Sequence, residues 1–163
     1  MTIKPISQRD PKWKAEKLGF SNLTIGGYGC TLTSLTCLLN YVYGASYTPN
    51  QVNNKLKELG QYNPRTNPKG AFLGALLVWA NVPLAYPKLK FIKRGYNYSN
   101  VEVAWNIYVK GMPVMVEVNA ASIGAVKHWV LFVGGQKMID PWTGTTESTS
   151  KYPLTGYSIY HRK

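Results

Sequence analysis

A chain of 163 residues, 45% apolar and carrying 12 Tyr and 5 Trp, has the length and composition of one folded domain spanning residues 1–163. Disordered and collagen-like classes are excluded, and no apolar run is long enough to span a membrane. Nineteen Lys and Arg against seven Asp and Glu leave a net charge of +12, which draws the protein toward anionic polymers, an anionic membrane face or nucleic acid.

The basic residues are scattered, in KWKAEK at 12–17, KLKFIKRG at 88–95 and YHRK at the end, rather than gathered on one recognition helix. That distribution argues against nucleic acid as the primary partner. The N-terminus MTIKPISQRD lacks the basic-then-apolar layout of a signal peptide.

In chain order, residues 30–43 are mostly apolar and end at Gly44, which predicts a buried helix with a glycine stop. The stretch TPNQVNNKLKELG predicts a second helix, with Thr48 as N-cap, Pro49 in the first turn, Gln51 completing a capping box and Gly60 past its end. QYNPRTNPKG at 61–70 is turn chemistry, and AFLGALLVWAN at 71–81 predicts a third, largely buried helix. A fourth follows in SNVEVAWNIYVKG, capped by Ser99 with Glu102 as its partner and stopped at Gly111. Beyond Gly111 the pattern turns to strands at 113–118, 128–133, 137–140 and 157–161. Helices first and sheet second predict an α+β domain with an antiparallel sheet in the C-terminal half and an active site where the halves meet.

Both cysteines fall in the first helix. Cys30 and Cys37 lie two turns, roughly 10 Å, apart, too far to bridge, so both are expected as free thiols. Two His and two Cys without close ligand spacing give no metal framework, and no cofactor is expected. Cys30 follows GGYG, glycines expected to turn tightly and leave room for a substrate, and opens the helix, where unsatisfied N–H groups and the helix dipole lower a thiol's pKa. Cys37, among Leu35, Leu38 and Leu39, reads as a core thiol.

A nucleophilic cysteine needs an imidazole to take its proton and a third group to orient that imidazole. His161 is close to the C-terminus beside Arg162 and Lys163 and reads as a surface residue. His128 opens an apolar strand, and Asp140 follows it across the Gly134–Gly135 turn. A regular two-residue hairpin would put His128 and Asp140 on opposite faces. An odd loop or a bulge at Gly134/Gly135 would set Val130 opposite Asp140 and make His128 its same-face diagonal neighbour, so such an irregularity is expected. An oxyanion donor could be the Cys30 N–H with an amide side chain, Gln8 or Asn22. Tyr28, Gly29, Trp129 and Trp142 flank these residues and are candidates for gripping substrate, as is Trp13.

In order, Gln8-x-Asp10-Pro11-x-Trp13, Gly29-Cys30 opening a helix, Gly111-x-Pro113-Val114, His128-Trp129-Val130-Leu131 with Gly134, and Asp140-Pro141 resemble a papain-like cysteine peptidase of the bacteriocin-leader-peptidase-like group. The resemblance implies a papain-like fold with Cys30 as nucleophile, His128 as general base and acid, Asp140 as its orienting group and Gln8 as oxyanion donor. Exporter-linked members of that group usually carry an acidic residue directly before the cysteine and are fused to a transporter; here Gly29 precedes Cys30. The chain is more similar to stand-alone phage endolysins and cell-wall hydrolases. This implies a bacteriolytic enzyme held in the host cytoplasm until release, cutting peptide or amide bonds of peptidoglycan through a thioester acyl-enzyme. Competing expectations are a protein- or leader-processing protease, a transglutaminase-like acyltransferase using the same Cys, His and Asp order, and a non-catalytic basic module binding wall polymer or nucleic acid.

Overall fold

A computed structural model describes residues 1–63 and 73–163. Its centre is a six-stranded antiparallel sheet: β1 (Leu89–Gly95), β2 (Val114–Ala120), β3 (Ala125–Gly134), β4 (Lys137–Asp140), β5 (Thr145–Ser148) and β6 (Leu154–Arg162), in the spatial order β1-β6-β2-β3-β4-β5. The helices are α1 (Ile25–Tyr28), α2 (Cys30–Tyr43), α3 (Pro49–Glu58), α4 (Val82–Ala85) and α5 (Asn100–Tyr108). The α+β class holds, but the segregation expected from the sequence is incomplete. β1 forms before α5, and α5 covers the face of the sheet opposite α2, so the domain has three layers.

Strand alternation explains the layering. Met115, Leu131 and Ile139 point to one face, where Leu32, Leu35, Leu38 and Leu39 of α2 and Val52 and Leu56 of α3 complete a buried core. Val114, Val116, Val130, Phe132 and Met138 point to the other and bury Val103 and Ile107 of α5. Each fully buried leucine in these layers stabilises the fold by about 2 kcal/mol.

The predicted caps operate. Gly44 ends α2 in the left-handed conformation at φ 60°, and Thr48 and Gln51 form the reciprocal capping box of α3 with Pro49 in its first turn. Ser99 accepts the Glu102 backbone N–H at the start of α5, while the Glu102 carboxylate turns to Lys93 at 2.7 Å.

The expected helix over 71–81 is not formed. Its first two residues, like 64–70 of the anticipated turn, lie outside the described region; the remainder holds two short 3-10 turns, Leu73–Ala75 and Trp79–Asn81. Tertiary hydrogen bonds take the backbone groups a helix would need: Gly74 O accepts from Phe20 N, Leu76 O from Asn63 N, and Val78 N donates to Gln61 O. Two strands were not anticipated. β1 coincides with the basic run at 88–95, where lysines protect an edge strand from unwanted pairing; a register shift between Phe91 and Lys93 leaves Ile92 exposed. β5 is a four-residue strand at the opposite edge.

Candidate active site

Cys30 is the first residue of α2, directly after the single turn of α1, whose N-cap Thr24 accepts a hydrogen bond from Gly27 N. The glycines around it act differently from the sequence expectation. Gly26, Gly27 and Gly29 all avoid the left-handed region, and close packing explains two of them instead. A Cβ on Gly29 would lie 2.5 Å from Ile25 O, and one on Gly26 2.8 Å from both Cβ and O of Lys14. Absent side chains therefore let α1 dock against its neighbours and set the nucleophile at the head of α2. The two thiols are free, Cys30 half-buried and Cys37 buried. Burial pushes the Cys37 thiol up to about 12.

His128 sits on β3, opposite Val118 of β2. The β3–β4 hairpin carries the expected irregularity as a bulge between Phe132 and Gly134, followed by a two-residue loop in which Gly135 and Gln136 have φ 61° and 57°. Two consecutive left-handed residues match the loop to strand twist, and the extra residue shifts the register. Beyond the bulge Leu131 faces Ile139, so Asp140 falls opposite Val130 and shares a face with His128. The His128 Nε2 and Asp140 Oδ1 are 2.8 Å apart. An ionised carboxylate only accepts, so Nε2 carries the hydrogen and Nδ1 is left for the thiol.

Asp140 is fully buried and accepts four hydrogen bonds. His128 Nε2 and Trp142 N, at 2.9 Å, donate to Oδ1; Tyr152 Oη, at 2.9 Å, and Lys151 Nζ, at 3.2 Å, donate to Oδ2. Burial opposes its ionisation, but these partners, His128 foremost, hold the carboxyl down to about 2. Burial likewise opposes a charge on His128, and the hydrogen bonds it donates to Asp140 and Cys30, with their negative charges, raise it to about 9. For Cys30 burial is the largest influence and raises the pKa. The hydrogen bond and charge of His128, the Trp129 backbone and the Thr31 side chain overcome it, and the thiol is lowered below its ordinary value of 9.0. The Cys30 and His128 shifts, downward for the thiol and upward for the imidazole, both act in the direction of a thiolate–imidazolium pair. Ser34 of α2 donates to Trp129 O at 3.1 Å, tying the helix that carries the thiol to the strand that carries the imidazole.

Gln8 is buried, lines the same cleft as Cys30 and His128, and is anchored by its Nε2 donating to Gly26 O at 3.0 Å and its backbone N donating to Pro141 O at 2.8 Å. Nε2 has a second hydrogen, and Oε1 has no hydrogen-bond partner among the described residues. Asn22 is exposed and does not line the cleft, which separates it from the nucleophile.

The cleft has a volume of about 870 Å³. Tyr28, Trp129 and Trp142 line it as expected; Gly29 does not, being buried beneath Cys30, and Trp13 is a core residue whose Nε1 donates to Ser7 O. Sequence reasoning missed Trp79, whose ring centroid lies 4.7 Å from that of Trp129, and the Arg94–Glu117 ion pair at 2.7 Å in the cleft wall. It also missed Lys151 and Tyr152 behind Asp140. Trp79 and Arg94 lie in segments misread or left unassigned, while Lys151 is brought to Asp140 by the 3-10 turn Thr149–Lys151 that follows β5. His161, half-buried rather than on the open surface, bonds Asn106 Oδ1 at 2.6 Å; burial, Lys110 and Lys90 lower its pKa. Among the described residues no group of three or more His, Cys, Asp or Glu could hold a metal.

No family model matches the chain, and no curated protein or solved structure matches it either. No described helix is long and apolar enough to cross a membrane.

Proposed function

We propose that the protein is a papain-like cysteine hydrolase of the bacteriocin-leader-peptidase-like group, acting on peptide or amide bonds of bacterial peptidoglycan as a phage endolysin does. The observation that carries this reading is the relay from a half-buried, acidified Cys30 through His128 to a four-fold hydrogen-bonded Asp140 at the edge of an aromatic cleft.

In this reading the Cys30 thiolate attacks the scissile carbonyl carbon. Charge developing on the carbonyl oxygen is met by the Cys30 backbone N–H, at the unsatisfied first turn of α2, and by the second hydrogen of Gln8 Nε2. The His128 imidazolium gives its Nδ1 proton to the departing amine, leaving a thioester on Cys30. A water then loses a proton to His128 as it attacks the thioester, which releases the carboxylic acid and restores the Cys30 thiolate with the His128 imidazolium. Asp140 stays ionised throughout, fixing the ring's tautomer and orientation. Tyr28 and Trp142 offer aromatic surface against which peptide or sugar can stack, while Trp129 is buried with Arg94 over its ring and shapes the cleft wall; the net charge of +12 draws the enzyme to the acidic polymers of the wall.

Digestion of purified peptidoglycan by the wild type and by Cys30→Ala, with mass spectrometry of the fragments, tests substrate, bond and nucleophile together. New amine and carboxyl termini released by the wild type alone are expected. Equal release by the variant would remove Cys30 from the chemistry, and an added amine donor captured on the product would mark acyl transfer instead.

A further inference from the structure

The outer surface of α5 is apolar where a surface helix is normally polar. Val101, Trp105, Tyr108 and Val109 are 79%, 54%, 68% and 56% exposed. Their spacing places all four within a single arc of the helix, while Val103, Asn106 and Ile107 occupy the buried side. Contiguous exposed apolar side chains of this size mark an interaction surface.

The rim of this stripe is cationic. Lys110 comes directly after the helix's C-cap, Val109. Lys137 borders the same depression as Tyr108, together with Met1, which is itself 42% exposed. Lys90 lies opposite His161 in the sheet, on the face from which His161 bonds Asn106 of α5. The acidic residue of the helix, Glu102, is neutralised by Lys93 at 2.7 Å.

We propose that α5 docks the protein onto an anionic lipid surface, with Val101, Trp105 and Val109 entering the headgroup–acyl boundary, Tyr108 at headgroup level, and Lys90, Lys110 and Lys137 meeting the lipid phosphates. An apolar helix face bearing Trp and Tyr and rimmed by lysines is the arrangement that lies in a membrane interface. A hydrated polyanion would satisfy the lysines and gain nothing from the four apolar side chains. A second copy would bring two bodies of charge +12 together. The surface is separate from the cleft and independent of its chemistry.

Co-sedimentation with vesicles of phosphatidylcholine alone, and of phosphatidylcholine with phosphatidylglycerol in equal parts, tests this directly, with tryptophan fluorescence reporting insertion. The anionic vesicles should bind at least about tenfold more tightly than the neutral ones, with the emission shifted to the blue. The triple substitution Val101→Ser, Trp105→Ser, Val109→Ser should weaken binding to anionic vesicles about tenfold. It alters only exposed side chains, so thermal midpoint and the alkylation rate of Cys30 should be preserved. Lys90→Gln with Lys110→Gln and Lys137→Gln should weaken anionic binding and leave neutral vesicles unaffected. Equal binding by wild type and the apolar triple variant would reduce the attraction to bulk charge and overturn the proposal. Absence of binding to anionic vesicles would overturn it too. So would binding of soluble polyphosphate, or self-association in sedimentation velocity, that the apolar triple variant abolishes.

Discussion

Replacing Asp140 by Asn removes one charge from a fully buried side chain behind the cleft and leaves its shape. The carboxylate is fully buried, with two donors on each oxygen. Holding it at about 2, against an ordinary value of 3.8, corresponds to about 2 kcal/mol of folding stability at neutral pH, since one pH unit is worth about 1.4 kcal/mol. Its pKa is depressed in the folded state, so that stability is present above the ordinary carboxylate value and is lost as the pH falls toward about 2. The wild type should thus weaken over this acid window in urea denaturation, and Asp140→Asn should start about 2 kcal/mol weaker and lack that segment of the curve. His128 behaves in the opposite sense. Raised to about 9, it stabilises fully below its ordinary value of 6.5, and its contribution fades as the pH rises through about 9. Without the Asp140 charge the His128 pKa must fall, the Cys30 thiolate loses its cationic partner, and hydrolysis should drop by roughly 10²- to 10⁴-fold. The rate of Cys30 alkylation by iodoacetamide against pH reads the same change without any substrate. An Asp140→Asn profile superimposable on that of the wild type would refute the coupling on which this reasoning depends.

Gln8→Ala should lower kcat about 10²-fold with little change in KM, because a donor to the developing oxyanion acts in the transition state; steady-state kinetics on a soluble peptide substrate measures it. Alkylation at neutral pH followed by peptide mapping should modify Cys30 and spare Cys37, whose buried thiol titrates at about 12, and Cys37→Ala should leave the labelling rate unchanged. Gly29→Ala forces a Cβ to within 2.5 Å of Ile25 O, so it should cost about 1–3 kcal/mol in denaturation and slow labelling of Cys30. For hydrolysis the pH profile should be a bell, falling in acid as Cys30 is protonated and in base as His128 loses its proton near 9.

Local chemistry was readable wherever local chemistry decides structure. Thr48, Gln51 and Ser99 cap the helices their spacing announces, and the Gly134–Gly135 pair marks the hairpin whose bulge aligns His128 with Asp140. What escaped depends on partners distant in sequence. The run around Gly74 has a helical composition, but Phe20, Asn63 and Gln61 bind its backbone. The strand Leu89–Gly95 hides its pattern behind a bulge that turns Ile92 outward. Lys151 and Tyr152 reach Asp140 through the 3-10 turn Thr149–Lys151, which brings the chain back after β5 has led it away toward Lys137. Likewise, Gly26 and Gly29 owe their identity to contacts with Lys14 and Ile25 that no turn rule encodes.

The clasp between Gln8 N and Pro141 O also dictates when the site can exist. Ser7 packs so closely beneath Gly144 that a Cβ on that glycine would come within 2.6 Å of the serine's own. The Ser7–Gln8 segment therefore waits for the much later residues 141–144 before it finds its place. A nascent chain can build α2 and present the Cys30 thiol early, but Gln8 and Asp140 are seated only when the C-terminal hairpins arrive. Translation itself thus keeps the site incomplete until residues 140–144 have been made.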